Sequence, residues 1–186
     1  MSSSATSSAG VSTWNIDSAH TAADFKVRHM MISNVKGTIT GIQGVVHLDE
    51  ADPSRSTFHA TADLTTLNTG EPQRDAHLKS ADFFHHEQFP QITFSSTAVK
   101  RTGDEEFEVT GDLTVRGVTR PVKFKVEGLG APHKDPWGNL RVGLSATTKI
   151  NRKDFGLTWN AALETGGMLV GEEVTIDVEA EFVKAA

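Results

Sequence analysis

The chain has 186 residues, 37% of them hydrophobic, a net charge of -6 and no cysteine. That length fits a single core and one domain, and the missing thiols exclude a disulfide framework, a cysteine nucleophile and a thiolate metal site. An acidic balance without a dense Lys/Arg run argues against nucleic acid or an anionic membrane surface as the main partner, because both need clustered cations.

Residues 1–12 are almost entirely Ser, Ala, Thr and Gly, a composition too poor in apolar area to offset the entropy of ordering, so a flexible tail is expected ahead of one domain over 13–186. The start lacks the basic and apolar regions of a secretory leader, and nowhere are there roughly 18 consecutive apolar residues. The expectation is a soluble protein without stable membrane insertion. Cytoplasmic residence is the simplest location, and a periplasmic or secreted one applies if a leader has been removed.

From Trp14 onward apolar and polar residues alternate at period two, the mark of strands with one buried and one wet face. Ala23, Phe25 and Val27 share a face of the first strand, and Ile39, Val46 and Leu48 continue through a second, in which Gly37, Gly41 and Gly44 suggest bends. Phe58, Ala60, Ala62 and Leu64 make a third. A short helix is expected over Arg74 to Phe84, after Pro72. Ile92, Phe94 and Ala98 then give a fourth strand, Phe107 to Val115 a fifth, and Val122, Phe124 and Val126 a sixth. The breaker-rich stretch Ala131 to Asn139 precedes a seventh strand on Leu140, Val142, Leu144, Ala146 and Ile150. A long connection, Asn151 to Gly171, leads to the eighth on Val174, Ile176, Val178, Ala180 and Phe182.

Eight strands joined mainly by short turns favour an all-β fold, an antiparallel barrel closed on itself, because closure removes exposed edges; a sandwich is the structural rival. Eight is also the number at which the interior is either filled by side chains or holds one small ligand. Small residues in phase with bulky ones (Ala23, Ala60, Ala62, Gly111, Ala146, Ala180) leave room for a cavity, and equally fit the taper of a filled barrel. Burial yields about 0.8 kcal/mol per methylene against roughly 4 to 15 kcal/mol for association, so a greasy cavity would need a long hydrocarbon chain.

Several motifs resemble the YceI-like polyisoprenoid-binding proteins. They are Trp14-Asn15-Ile16-Asp17 with His20, Phe25 and His29; Asp63-Leu64 through Leu67, then Thr69-Gly70 and Arg74-Asp75-Ala76-His77-Leu78-Lys79-Ser80-Ala81-Asp82-Phe83-Phe84; and Phe89-Pro90-Gln91-Ile92-Thr93-Phe94. Gly111-Asp112-Leu113-Thr114-Val115-Arg116-Gly117-Val118-Thr119-Arg120-Pro121-Val122 and Ile150-Asn151-Arg152-Lys153-Asp154-Phe155-Gly156-Leu157 complete the set. The resemblance implies a lipocalin-like barrel that binds isoprenoid chains, quinone-type lipids or fatty amides, with no catalytic machinery and no cofactor besides the bound lipid. Members are often exported, a pattern from which this leaderless start departs.

The expected lipid-facing set is Phe25, Val27, His29, Ile39, Phe58, Ala60, Ala62, Leu64, Arg74, Leu78, Phe84, Phe94, Leu113, Leu144, Trp159 and Met168. His29, in phase with Phe25 and Val27, can hydrogen-bond a headgroup or quinone oxygen, or be a rim histidine satisfied by backbone or water. Arg74, Asp75 and His77 can gate the cavity, or serve the helix start alone. Trp159, Leu163, Met168 and Leu169 can form a mobile lid or pack as an ordinary loop.

His85-His86, with His77, Asp82 and Glu87, is the one candidate metal cluster, and its spacing matches no known ligand motif. It carries the rival reading, a metal-dependent or lipid- or quinone-modifying protein. No nucleophile elbow or Gly-rich phosphate loop accompanies it, and Asp154-Phe155-Gly156 lacks the other parts of a kinase. Non-enzymatic lipid storage or transport is the favoured reading, with a homodimer left open.

Overall fold

The computed structural model describes residues 10–186. The strands are β1 (Val11–Ile16), β2 (Ala22–His29), β3 (Ser33–Ile39), β4 (Ile42–Asp49), β5 (Thr57–Asp63), β6 (Gln91–Arg101), β7 (Glu106–Val115), β8 (Val118–Glu127), β9 (His133–Lys134), β10 (Leu140–Asn151) and β11 (Val170–Lys184), with a single α-helix, α1 (Pro72–Lys79), between β5 and β6. They pair in the order β3-β2-β11-β1-β4-β5-β6-β7-β8-β10-β9, and β10 also pairs with β11, which closes the wall. β1 and β2 run along the same edge of β11, and β3 continues into β4, so the closed wall is an eight-stranded antiparallel barrel as the alternation predicts.

The first two staves are kinked for local reasons. Between β1 and β2 the Asp17 carboxylate accepts from the Ala19 amide at 3.1 Å, capping a short 3-10 turn. Between β3 and β4 the Thr66 hydroxyl accepts from the Gly41 amide at 3.0 Å, and a Cβ at Gly41 would meet that side chain at 2.8 Å. Of the three glycines expected to bend this stave, Gly41 does so. Gly37 instead lies beneath Phe25, whose ring atom sits 2.2 Å from where a Cβ would stand.

Above its kink β3 pairs with β2 on one side, and its other side meets Asn68 through Thr38. The wall is therefore split there, and the segment from Leu64 to Phe89, carrying α1, fills the gap. Glu71 caps α1 by accepting from the Gln73 and Arg74 amides, Pro72 takes the first position, and the Ser80 hydroxyl donates to the His77 carbonyl at 2.6 Å. The helix thus starts two residues earlier than the sequence suggests and ends well before Phe84, because Ser80 and the turns after it take up the helix's last carbonyls.

The expected tail over 1–12 also needs correction at its inner end. Val11 and Ser12 belong to β1, opposite Asp49 and Leu48, and the Glu50 amide donates to the Gly10 carbonyl. Residues 1–9 lie outside the described residues.

Two ends of the barrel differ. At one, Trp14 and Phe182, each 2% exposed, pack with Ala180 and close the interior. At the other, Phe83, Phe155 and Leu157 from the loop segments pack on Leu113, Val115 and Val122 of the β7–β8 hairpin.

Candidate functional site

A cavity of about 420 Å3 runs from the Phe182 end to the opposite mouth. Inward-facing apolar residues of every barrel strand line it. Period two explains why: within β2, Ala23, Phe25, Val27 and His29 all face in, and within β11, Val174, Ile176, Val178, Ala180 and Phe182 do so. Four rings meet edge-on or tilted along the wall, Phe182 to Phe58 at 6.2 Å, Phe58 to Phe94 at 5.9 Å and Phe94 to Phe124 at 5.2 Å.

Of the residues expected to face a lipid, Phe25, Val27, His29, Ile39, Phe58, Ala60, Ala62, Phe94, Leu113 and Leu144 line the strand wall. Arg74, Leu78, Phe84 and Trp159 line the mouth. Leu64 and Met168 are set apart. Leu64 is fully buried behind the wall with Ile39 and Leu67, because it follows the end of β5 and the chain turns there; Met168 stands on the outside of the connection, 46% exposed. Among the small residues, Ala23, Ala60, Ala62, Ala146 and Ala180 border the cavity. Gly111 does not enlarge it: the Phe94 ring lies 2.5 Å from where its Cβ would stand.

The polar groups at the mouth are mostly committed. Arg74 donates to the Thr69 hydroxyl at 2.8 Å and to the Thr69 carbonyl at 2.9 Å, while Asp75 accepts from the Thr69 amide at 2.9 Å. His77 pairs with Asp82 at 2.8 Å and stands edge-on to Trp159 and Phe83 at 4.7 and 5.1 Å. The His77–Trp159 contact therefore joins α1 to the connection, whereas Arg74 and Asp75 bond Thr69 just before the helix. Among the described residues no comparable tie holds His29, which is half-buried and lines the cavity.

Two arginines that sequence reasoning left without a role build the mouth. Arg152, 4% exposed, donates to the carbonyls of Leu157 at 2.6 Å, Gly171 at 2.7 Å, Trp159 at 2.9 Å and Val170 at 3.2 Å. Its planar fork thus gathers both ends of the long connection, and Asn160 adds a second clasp by exchanging hydrogen bonds with the Val170 backbone. Burial pushes the Arg152 pKa down, with the charge of Glu172 opposing the shift. The signal was present: Leu144, Ala146, Thr148 and Ile150 share one phase, and one more step of two places Arg152 inward. Arg116, at φ 50 in the β7–β8 turn, donates to the Phe83 carbonyl at 2.7 Å and pins the segment after α1.

The candidate metal cluster does not assemble. His86 is held to the Lys79 carbonyl, His85 stacks edge-on against Phe89, and His77 is taken by Asp82. Among the described residues, the side chains close enough to share an ion are Asp17, His20 and Glu181 at the other end. There the Arg141 guanidinium already lies 2.7 Å from Asp17 and 2.8 Å from Glu181.

The model of the YceI-like domain matches residues 14–182. The chain belongs to the YceI-like family. UPF0312 proteins from Staphylococcus aureus strains MSSA476 and N315 are each 37% identical over 169 residues, 91% of this chain and 96% of theirs. Among solved structures of this fold, the Campylobacter jejuni YCEI protein is 28% identical, with a TM-score of 0.72 over 87% of this chain and 91% of that one. Burkholderia cenocepacia BcnA superposes with a TM-score of 0.75 at 21% identity, covering 89% of this chain and 98% of its own. A polyisoprenoid binding domain from Saccharophagus degradans gives 0.67 at 15%, covering 92% and 98%. The latter two share the barrel fold with this chain.

Proposed function

We propose that the protein binds a long-chain isoprenoid or related amphiphilic lipid (a polyprenyl chain, a quinone or a fatty amide) inside the barrel, and stores or carries it without altering it. One observation carries the reading: a cavity of about 420 Å3 inside the barrel, walled almost throughout by apolar side chains, with His29, Arg74, His77 and Arg152 among the few polar residues on it. Such a volume lies within the range of ligand-holding pockets, and its wall offers burial but few orienting hydrogen bonds. At about 0.8 kcal/mol per methylene, a chain of ten carbons only offsets association, so the cavity favours long tails over small metabolites. His29, untied at the mouth, is the group available to orient a polar head, and Arg152 has donors already spent on carbonyls. The polyisoprenoid binding domain of Saccharophagus degradans shares the barrel and supports the same class of cargo. The rival reading, chemistry at a histidine cluster, lacks a convergent geometry.

Native mass spectrometry with lipid extraction, on protein made in its own host, tests the proposal. The expected result is one bound lipid of unaltered structure, absent from an Ala60→Phe/Ala146→Phe variant that still unfolds cooperatively. Bare protein that also takes up no polyprenyl or quinone probe, or a bound lipid recovered chemically changed, overturns it.

A further inference from the structure

The β2–β3 hairpin turns through Met30 and Met31, at φ 51 and 61, with the Ile32 amide donating to the His29 carbonyl at 3.1 Å. His29 pairs with Ser33, so three residues form the loop, and the two at positive φ are positions that favour Gly, which has no Cβ, or Asn, whose short polar side chain hydrogen-bonds locally. Two methionines there are unfavourable for folding, and they do not earn burial in exchange. Met30, Met31 and Ile32 are 41%, 62% and 75% exposed. The Met31 sulfur also reaches Gly167 of the connection, beside the exposed Met168, so the hairpin tip and the loop present one apolar patch.

Along the hairpin itself the charge is opposite to that of the whole chain, and the acid beside the patch is Glu164, in the turn of the connection that carries Gly167. From Lys26 to Lys36 there are three cations, Lys26, Arg28 and Lys36, all exposed, and no acid, whereas the chain carries -6. The Arg28 guanidinium donates to the Met31 carbonyl at 3.0 Å, which brings its charge to the tip. The patch also continues into the cavity wall, since Val27, His29 and Leu169 line the mouth directly behind it.

We propose that this tip is a docking surface for an anionic lipid bilayer, with Met30, Met31, Ile32 and Met168 entering the acyl boundary and Lys26, Arg28 and Lys36 meeting the headgroups. Unbranched thioethers suit an irregular fluid contact, and cations rimming an apolar tip suit the negative interface. Docking in this orientation sets the cavity mouth against the membrane. The surface stands whether or not the cavity holds the proposed lipid, and the net charge that disfavours membranes as a main partner does not describe this hairpin.

The test is co-sedimentation of the full chain with cargo-free vesicles of phosphatidylcholine containing phosphatidylglycerol, against vesicles of phosphatidylcholine alone. Binding is expected to the anionic vesicles and to weaken as salt shortens the screening length. Lys26→Gln/Lys36→Gln should weaken it by about tenfold or more, since each cation near such a surface contributes severalfold. Met30→Asn/Met31→Gly should reduce it about tenfold while raising the melting temperature, which separates lost docking from lost folding. Because the chain has no cysteine, an environment-sensitive dye on Ile32→Cys reports entry into the acyl region as a blue shift. Equal vesicle binding by parent and Met30→Asn/Met31→Gly, or no binding by the parent, overturns the proposal. So does a concentration-dependent dimer abolished by the same substitutions, which would assign the patch to a second copy.

Discussion

The two ends of the barrel are held by different chemistry. At the closed end one cation meets three anions: Arg141 reaches Asp135 at 2.8 Å, Asp17 at 2.7 Å and Glu181 at 2.8 Å, tying β1, β10, β11 and the turn before β10 together over a packed Trp14 and Phe182. At the mouth one buried cation meets no carboxylate at bonding distance and four backbone carbonyls instead. A carboxylate network holds rigid strands in register, whereas an arginine on carbonyls can gather an irregular chain that has no strand ladder of its own. The difference places order at the base and leaves strain and exposed apolar tips at the rim, as expected where access to an interior must be possible.

The sharpest way to break this contrast is to truncate one apolar side chain at each end. Trp14→Ala, at a buried residue that does not line the cavity, opens a new void in a filled region and should cost about 4 kcal/mol in urea unfolding. Ile176→Ala enlarges a void that already exists, so it should cost about 2 kcal/mol or less, the transfer term without a fresh cavity. Equal losses would mean that the interior is as tightly filled at the mouth as at the base.

Next in size is the mooring of the connection. Arg152→Met preserves bulk but strands four carbonyls, with an expected loss of about 3 kcal/mol. Hydrogen exchange should accelerate over residues 157–171 and hardly at all in β1, and Arg152→Lys should recover part of the protection. Uniform acceleration through the barrel would show that the arginine stabilises the whole wall instead.

Much of this was legible beforehand. The alternation that gave eight strands also assigned Phe25, Phe58, Phe94, Leu113 and Leu144 to the interior, because a strand's period is rigid enough to extrapolate. Legibility failed where the backbone leaves that period. Leu64 continues the β5 pattern on paper, yet the turn capped by Asp63 carries it behind the wall. Met168 looks like a core methionine until the fold shows it on the outside of a loop. Arg152 fails in the other direction, since its phase pointed inward and only its charge argued against burial. The closed-end network joins Asp17 to Arg141 across 124 positions, a separation no local pattern encodes.

A gain in stability is expected at the rim. Met30→Asn/Met31→Gly relieves two side chains at positive φ and should stabilise the protein by about 1 kcal/mol, raising the urea midpoint without changing the slope. A destabilised variant would mean that the contact of Met31 with Gly167 outweighs the turn's strain. The same exchange made at Arg116 of the β7–β8 turn should go the other way, because Arg116→Asn gives up the hydrogen bond to Phe83.

The smallest effect separates the ends by pH. The Arg141 hydrogen bond, helped by His20, pulls the Asp17 carboxyl from 3.8 down to about 2, and Arg141 holds Asp135 well below the ordinary carboxylate range. A folded-state pKa below the unfolded one contributes stability that is complete above the ordinary value and fades as pH falls toward the depressed one. The closed end should therefore loosen between about pH 4 and pH 2, seen as faster exchange in β1 and the start of β10. Carbonyls do not titrate, so the four bonds to Arg152 persist through the same range, and the exposed Lys153–Glu172 pair beside them contributes little. Asp17→Asn should partly flatten the acid dependence of the melting temperature, because it removes one of the two acid-lowered carboxylates bound to Arg141 and leaves Asp135. If instead the connection over 157–171 opens first in acid, the mouth depends on a carboxylate, and the division between an ion-tied base and a carbonyl-tied rim does not hold.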